Sequence, residues 1–136
     1  MHDCVFCRII AGQQPADVIA QTERLIVFLS LENHPLVVPK AHLENIYGLD
    51  DALAAGLMRA TVRVARALKA GLGCDGVAVT QRNEPAAGQD VFHLHIHVIP
   101  RWHGGQPGWR MQVERDSTAR RECRDRIAAA LEPLDA

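Results

Sequence analysis

Three histidines at alternate positions are the residues of this chain best suited to carry chemistry. His93, His95 and His97 lie in residues 91–100, whose other members are all apolar. Imidazole titrates near neutral pH and serves as a proton carrier, a nucleophile or a metal ligand. On a β-strand the three rings would share one face, and the residues between them would face the core, namely Phe92, Leu94, Ile96 and Val98. The pattern therefore predicts a functional site on a strand.

The spacing of these histidines leaves two chemistries open. Several imidazoles together can hold a metal ion, whereas a single imidazole can attack phosphorus as a nucleophile. Packing is the third interpretation, because one histidine on a strand is commonly a half-buried polar residue. Three in register, in a chain with seven histidines, favour a functional site over packing.

Two cysteines near the N-terminus form a second candidate site. Cys4 and Cys7 are separated by two residues, so both sulfur atoms can turn toward one metal ion. A thioredoxin-like motif normally follows a strand, which this pair does not, and two free thiols remain the simpler alternative. Structural zinc takes four nitrogen or sulfur ligands, so two histidines would complete the set. Spacing alone leaves all seven as candidates: His2, His34, His42, His93, His95, His97 and His103.

Length and charge narrow the class of protein. A chain of 136 residues suits one domain, spanning 1–136, with a substantial core. The formal net charge of -1 gives no electrostatic case for binding nucleic acid or an anionic membrane. No apolar run has the length of a membrane span, and the N-terminus lacks the apolar core of a signal peptide. We therefore expect a cytoplasmic protein whose cysteines are thiols.

The elements that must position these residues follow from hydrophobic patterning. Residues 18–21 and 25–29 predict a hairpin, and residues 36–38 predict a third strand that ends at Pro39. Residues 77–80 predict the strand before the histidines. Hairpins together with separate helices indicate an α+β fold.

Two long helices are predicted. The first runs from an N-cap at Asp50 to about Ala70, where Gly71 and Gly73 can end it. The second begins at a cap, Ser117 or Asp116, and ends near Pro133. Its apolar stripe consists of Ala119, Cys123, Ile127 and Leu131.

Four separated motifs resemble one known family. Residues 93–99 (His-Leu-His-Ile-His-Val-Ile) resemble the signature of the histidine triad (HIT) nucleotide hydrolases and transferases, and blocks of that family are also similar to residues 4–12, 36–42 and 88–93. The resemblance covers about residues 1–110, and residues 111–136 are predicted to be a C-terminal helical extension. It implies an antiparallel sheet of about five strands with two main helices. It also implies a homodimer.

The resemblance implies roles for particular residues. His95 would attack the α-phosphate of a nucleotide and form a covalent nucleotidyl-histidine intermediate, and His97 would contact the phosphate or help the leaving group depart. Asn83 and Gln89 would bind phosphate oxygens, and His34 would lie near the site. In the zinc-bearing branches the ligands are two cysteines and two histidines, which correspond here to Cys4, Cys7, His42 and His93.

The sequence departs from the family in two places. Where relatives carry an acidic residue that binds the ribose and then a proline-containing loop, this chain has the shorter Ser-Leu-Glu-Asn at 30–33, so that Glu32 is the one candidate substitute. Asp90 replaces a residue that is often a hydroxyl. Its negative charge would disfavour a second anionic phosphate and favour a neutral amine as leaving group.

Three functional hypotheses follow. The first is an enzyme that hydrolyses a nucleoside phosphoramidate or a dinucleoside polyphosphate at the α-phosphate. The second is a nucleotide-binding regulatory module with little catalytic activity, which the altered ribose-side loop suggests. The third is a metallohydrolase in which the three histidines hold a catalytic metal.

Overall fold

Five β-strands and three α-helices are formed by residues 3–105 and 118–134, the part of the chain that the computed structural model describes. In chain order they are α1 (Val5–Ile10), β1 (Val18–Gln21), β2 (Leu25–Leu29), β3 (Pro35–Pro39), α2 (Asp51–Leu72), β4 (Gly76–Thr80), β5 (Ile96–Arg101) and α3 (Thr118–Ala130). The strands form one antiparallel sheet in the order β1-β2-β3-β5-β4. The predicted α+β fold with an antiparallel sheet of five strands is confirmed. No helix among these residues combines the length and the apolar character needed to cross a membrane.

Both faces of the sheet are covered, which is why every residue of β2 and β3 is buried. The helices α2 and α3 pack on one face and enclose the larger apolar cluster. The short helix α1 contributes Phe6 to a smaller cluster on the other face, together with Ile26, Phe28, Leu36 and Val38. The histidine-bearing face, predicted to carry a functional site, therefore also has a small core of its own.

The hairpin and the start of the long helix form as their local signals predict. β1 and β2 have the predicted bounds. The Asp50 carboxylate accepts a hydrogen bond from the Leu53 backbone N–H at 2.8 Å and so caps α2. Gly73 ends the helix in the left-handed conformation, with φ of 66°.

Gly71 does not end the helix, and its role is packing. A Cβ atom at Gly71 would lie 2.6 Å from the carbonyl oxygen of Arg126 in α3. The missing side chain therefore lets the two helices approach closely, and α2 continues to Leu72 instead of ending near Ala70.

The strand predicted for residues 91–100 begins later than expected, at Ile96. The Leu94 N–H donates to the Leu43 carbonyl oxygen at 2.7 Å and does not join the sheet. Leu94 and Val98 still face the larger cluster, but Phe92 is 46% exposed, so its predicted core position is wrong.

The last helix buries a charged residue that the predicted stripe did not include. Buried positions in α3 are Arg120, Cys123 and Ile127, whereas Ala119 is only half-buried. The predicted caps Asp116 and Ser117 lie outside the described residues.

Replacing Gly71 with Ala is expected to destabilise the protein by about 1–3 kcal/mol, because the new methyl group would collide with the α3 backbone. The matched control is Gly56→Ala in the same helix, where the nearest atom to a new Cβ is 4.0 Å away. The control should be neutral or stabilising by up to about 1 kcal/mol, because alanine is the better helix former. Urea denaturation measures both, and equal effects would contradict the close approach of α2 and α3.

Candidate functional site

The three histidines reach the same face of the sheet from different backbone settings. His97 lies on β5, directly opposite Leu36 of β3 and Thr80 of β4. His93 and His95 lie in the segment that leads into β5. Both of their rings pack edge-on against Phe6, with centroids 5.8 and 5.2 Å away. The rings are thus held by packing on the α1 side before any ligand is considered.

His95 is oriented by a backbone hydrogen bond. Its Nδ1 donates to the His93 carbonyl oxygen at 2.7 Å. A carbonyl can only accept, so Nδ1 carries the hydrogen atom, and in the neutral ring Nε2 holds a free lone pair. His95 is 8% exposed, and its Nε2 lies 4.0 Å from the Asp90 carboxylate. His95 therefore presents a nucleophilic nitrogen in a fixed direction.

His97 is held by a second buried histidine. Its Nδ1 lies 2.8 Å from Nε2 of His34, so one ring donates and the other accepts. Burial lowers the pKa of His97, and positive charge on His95 and Arg82 lowers it further, partly opposed by the carboxylates of Asp90 and Glu32. Both effects favour a neutral ring, which can donate or accept one hydrogen bond at its remaining nitrogen.

A cavity of about 210 Å³ opens beside His95 and His97. Much of its wall is apolar, and Phe6, Phe28 and Leu36 belong to that part. Polar groups also line it, among them Asp17, Ser30, Glu32, Asp90 and Arg120. We name it the first cavity. An apolar chamber with a few polar groups suits a flat, partly polar ligand.

Arg120 is a site residue that patterning missed. Its guanidinium Nε donates to the Asp17 carboxylate at 2.9 Å, and Nη1 donates to the Ser30 carbonyl oxygen at 3.0 Å, in a setting where Arg120 is 3% exposed. The helix α3 thus forms part of the cavity wall. Arg120 does precede Cys123 by three positions and Ile127 by seven, so helical spacing could have marked it as inward-facing.

The shortened loop after β2 is a tight turn. The Ser30 hydroxyl accepts from the backbone N–H groups of Glu32 and His34 at 3.2 and 3.3 Å. Asn33 adopts a positive φ of 66°. The turn brings Glu32 to the rim of the first cavity and places His34 against His97.

Asn83 and Gln89 are engaged within the loop between β4 and β5. The Asn83 amide pairs with Gln81, and its oxygen also accepts from the Ile46 N–H. Gln89 accepts from the Glu84 N–H and donates to the carbonyl oxygens of Glu44 and Val91. Neither residue lines a cavity beside His97. Their binding of phosphate oxygens stays a prediction.

A second, more polar cavity of about 410 Å³ also touches His97. We name it the second cavity, and its lining is Glu32, His34, Thr80, Arg82, His97, Ile99 and Arg101. Glu32 and His97 therefore border both cavities. No motif in the sequence singled out Arg82 or Arg101.

The four predicted metal ligands converge. Sγ of Cys4, Sγ of Cys7, Nδ1 of His42 and Nδ1 of His93 all lie within 4.8 Å of one another. Sγ of Cys4 lies 3.2 Å from Nδ1 of His93, and Sγ of Cys7 lies 3.3 Å from Nδ1 of His42. The two Nδ1 atoms are 3.2 Å apart. Bonds of about 2.3 Å to sulfur and about 2.0–2.1 Å to nitrogen would separate tetrahedral ligand atoms by about 3.3–3.8 Å. The donor set therefore fits a tetrahedral metal ion.

Neighbouring groups prepare these donors. Nε2 of His93 donates to the Pro39 carbonyl oxygen at 2.8 Å, which leaves Nδ1 unprotonated and facing the thiols. Burial and the neighbouring Cys4 thiol raise the pKa of Cys7 to about 11. A bound cation would reverse this preference, since a metal ion favours the thiolate.

The third hypothesis, a metal held by the three histidines, lacks support from this arrangement. Across residues 3–105 and 118–134, the single group of three or more His, Cys, Asp or Glu side chains placed for a metal is the one with Cys4, Cys7, His42 and His93. His93 faces that group, while His95 and His97 line the first cavity. The metal donors and the candidate nucleophile are separate.

Comparison with known proteins identifies related sequences and structures. The profile described as HIT domain matches residues 11–104. "Protein hit" of Bacillus subtilis is 38% identical over 108 residues, which cover 76% of this chain and 74% of that protein. The adenosine 5'-monophosphoramidase hnt1 of Schizosaccharomyces pombe is 32% identical over 102 residues, covering 72% and 74%. A zinc-bound histidine triad family protein of Mycobacterium smegmatis superimposes with a TM-score of 0.78 at 34% identity, covering 94% and 92%.

Arg120→Met is expected to lower the free energy of unfolding by about 3 kcal/mol, because it leaves the Asp17 carboxylate buried without its main partner. Arg124→Met is the control on the same helix, since Arg124 is more exposed and lies 3.9 Å from Asp17. The control should lose less than about 1 kcal/mol. Urea denaturation measures both free energies of unfolding. Equal losses would show that the buried Arg120–Asp17 pair stabilises the protein no more than the more exposed Arg124 contact does.

Proposed function

The chain belongs to the HIT domain family, and from that premise we propose that it is a nucleotide hydrolase or transferase acting at the α-phosphate of a nucleoside phosphoramidate or dinucleoside polyphosphate. The observation that carries the proposal is the free Nε2 of His95, which faces the first cavity beside His97. The adenosine 5'-monophosphoramidase relatives support this class of substrate.

The first step would transfer the nucleotidyl group to the protein. Nε2 of His95 attacks the α-phosphorus, so that a nitrogen–phosphorus bond forms and the bond to the leaving group breaks. His97 lies beside His95, with ring centroids 5.0 Å apart, and its free nitrogen would donate to a phosphate oxygen or to the leaving atom. The His34 contact keeps that ring in position.

The second step would restore the enzyme. A water molecule attacks the same phosphorus, the nitrogen–phosphorus bond breaks, and a nucleoside monophosphate leaves. His95 regains its lone pair. If His97 gave its proton to an amine leaving group in the first step, it takes one back from the water, and with an oxyanion leaving group the water's proton stays on the released phosphate. Transfer to an acceptor other than water would follow the same course. Imidazole suits both steps because it is a good nucleophile and a good leaving group.

The first cavity would hold the nucleoside. Phe6, Phe28 and Leu36 offer apolar surface for a base, and Glu32 stands at the rim where ribose hydroxyls would need acceptors. The Asp17 carboxylate is already paired with Arg120, which leaves Glu32 as the better candidate for the ribose.

His95→Ala is expected to reduce hydrolysis of adenosine 5'-phosphoramidate by at least about 10³-fold, because it removes the nucleophile. His103→Ala, which alters an exposed histidine in the turn after β5, should leave turnover unchanged. Mass spectrometry of the wild-type protein during turnover should detect an added nucleoside monophosphoryl group that His95→Ala lacks.

Undiminished turnover in His95→Ala would refute the assignment of the nucleophile. Tight binding of a nucleoside monophosphate without hydrolysis of any substrate would instead favour a regulatory nucleotide-binding module.

We also propose that Cys4, Cys7, His42 and His93 hold a structural zinc ion. The ion would tie the start of α1 to the loop after β3 and to the approach to β5, and it would supply no step of the reaction. The distances among the donors and the zinc-bound relative support this assignment. Because both thiols must lose a proton to bind, affinity should fall as the pH falls.

Cys7→Ser is expected to reduce zinc from about one ion per chain to near zero and to lower the melting temperature by at least about 5 °C. Cys74→Ala changes a buried cysteine outside the cluster and should retain the metal. Elemental analysis by mass spectrometry measures the zinc content. Unchanged zinc in Cys7→Ser would rule out this ligand set.

A homodimer remains a further proposal, drawn from the family. β4 is an edge strand on which Val79 is exposed, and Met58 and Val62 are exposed apolar side chains of α2. Met58→Lys is expected to shift the protein toward monomer in light scattering. Leu31→Lys, at a different exposed apolar position, should not. A wild-type monomer at micromolar concentration would contradict the proposal.

A further inference from the structure

We propose that the second cavity is a leaving-group subsite in which Arg82 and Arg101 select an anionic leaving group, a phosphate or sulfate oxyanion. The inference rests on the proposed function and deepens it by naming the class of substrate. It concerns residues outside the histidine row, the metal donors and the first cavity.

Strand register builds this cavity. His97, Ile99 and Arg101 alternate along β5 and therefore project from one face. Their direct neighbours on β4 are Thr80 opposite His97, Ala78 opposite Ile99 and Gly76 opposite Arg101. The neighbours become smaller along the strand. The small residues opposite Ile99 and Arg101 leave room for the hollow, which extends along the strand to His97.

Arg82 enters the cavity from the loop after β4. A Cβ atom on Gly88 would lie 3.1 Å from Cδ of Arg82, so the arginine stem crosses closely over that glycine. Gly88 has a positive φ of 93°, which favours glycine on backbone grounds as well. The charge of Arg82 also acts on His97, whose pKa it helps to lower. The guanidinium is therefore close to the ring that borders both cavities.

The two arginines give the second cavity an excess of positive charge. Its lining holds two guanidinium groups and one carboxylate, that of Glu32. Within residues 3–105 and 118–134, neither the Arg82 nor the Arg101 guanidinium forms a hydrogen bond or an ion pair. By contrast, Arg120 in the first cavity is engaged by Asp17. Guanidinium forks bind phosphate and sulfate oxygens through paired, charge-assisted hydrogen bonds.

The position of the cavity suits a leaving group. In-line displacement places the nucleophile and the leaving group on opposite sides of phosphorus. His95 lines the first cavity alone, whereas His97 lines both. A phosphorus atom held beside His97 would then have His95 on one side and the arginines on the other.

The chemistry distinguishes two kinds of leaving group. When His95 displaces phosphate or sulfate, the phosphorus–oxygen bond breaks and the bridging oxygen departs with the electron pair. The arginines would stabilise that developing charge without any proton transfer. An amine must instead receive a proton as the phosphorus–nitrogen bond breaks, and a guanidinium offers it little. The arginines should therefore matter for the first kind only.

Asp90 does not oppose this selection in the way that the sequence suggested. Its carboxylate lies beside Nε2 of His95, accepts from the Val91 N–H, and borders the first cavity but not the second. The negative charge is thus on the nucleophile's side. The expectation that Asp90 would favour a neutral amine stays a prediction, and the substrate comparison below tests it together with the role of the two arginines.

The test compares three substrates that share adenosine and the α-phosphate: adenosine 5'-phosphoramidate, adenosine 5'-phosphosulfate and diadenosine tetraphosphate. Arg82→Gln and Arg101→Gln are each expected to lower kcat/KM for the sulfate or the polyphosphate substrate by about 10-fold or more. The phosphoramidate value should change by less than about 3-fold. The control is Arg24→Gln in the exposed turn between β1 and β2, which should alter none of the three.

Equal losses on all three substrates, no loss on any, or wild-type turnover of the phosphoramidate alone would each overturn the proposal. A loss confined to the phosphosulfate or to the polyphosphate would support it and identify the oxyanion. Melting temperatures confirm that the variants fold. If the wild-type protein turned over none of the three substrates, the proposed function would be overturned as well. That failure is distinguishable because it appears in the wild-type assay, before any variant is compared.

Discussion

The hydrogen bond from His95 Nδ1 to the His93 carbonyl oxygen is the interaction on which the site depends. It fixes which nitrogen of His95 is free and where that nitrogen points. The carbonyl is itself held, because the His93 side chain is anchored to Pro39 and lies among Cys4, Cys7 and His42. A metal ion in that cluster would therefore stabilise the orientation of the His95 ring without contacting it. This arrangement explains how a structural cluster and a reactive ring can occupy neighbouring histidines without competing for one ligand.

Side chains that pack in the core alternate with side chains that line the cavities along one segment, residues 94–98. Leu94 and Val98 join the larger core, while His95 and His97 face the cavities. Pairing with β3 and β4 begins only where β5 starts, at Ile96. The backbone at His93 and His95 is therefore not held by strand pairing and can turn toward α1 and the metal donors. A continuous strand through all three histidines would have given them equivalent settings. The late start of the strand gives each ring a different partner.

Local signals predicted much of the fold and the identity of most central residues. The hairpin and the Asp50 cap depend on neighbours within a few positions, and both are found. The failures involve partners that are distant in sequence. Gly71 is inside a helix because α3 packs against it, and Arg120 is buried because Asp17, 103 positions away, pairs with it. The histidine partners of the cysteine pair were likewise open until a family resemblance suggested them.

The loop between β4 and β5 holds one residue, Glu84, in an unfavourable backbone conformation. Glu84 has φ of 74° and ψ of 155°, a region that is nearly restricted to glycine and costs about 1–3 kcal/mol. Two contacts compensate: Gln89 accepts from the Glu84 N–H at 2.6 Å, and the Tyr47 hydroxyl donates to the Glu84 carboxylate at 2.9 Å. Because Arg82 precedes this point by two residues and crosses Gly88 within the same loop, the compensated strain also restricts where the guanidinium can lie. A loop that was free to relax would hold that charge less firmly beside His97.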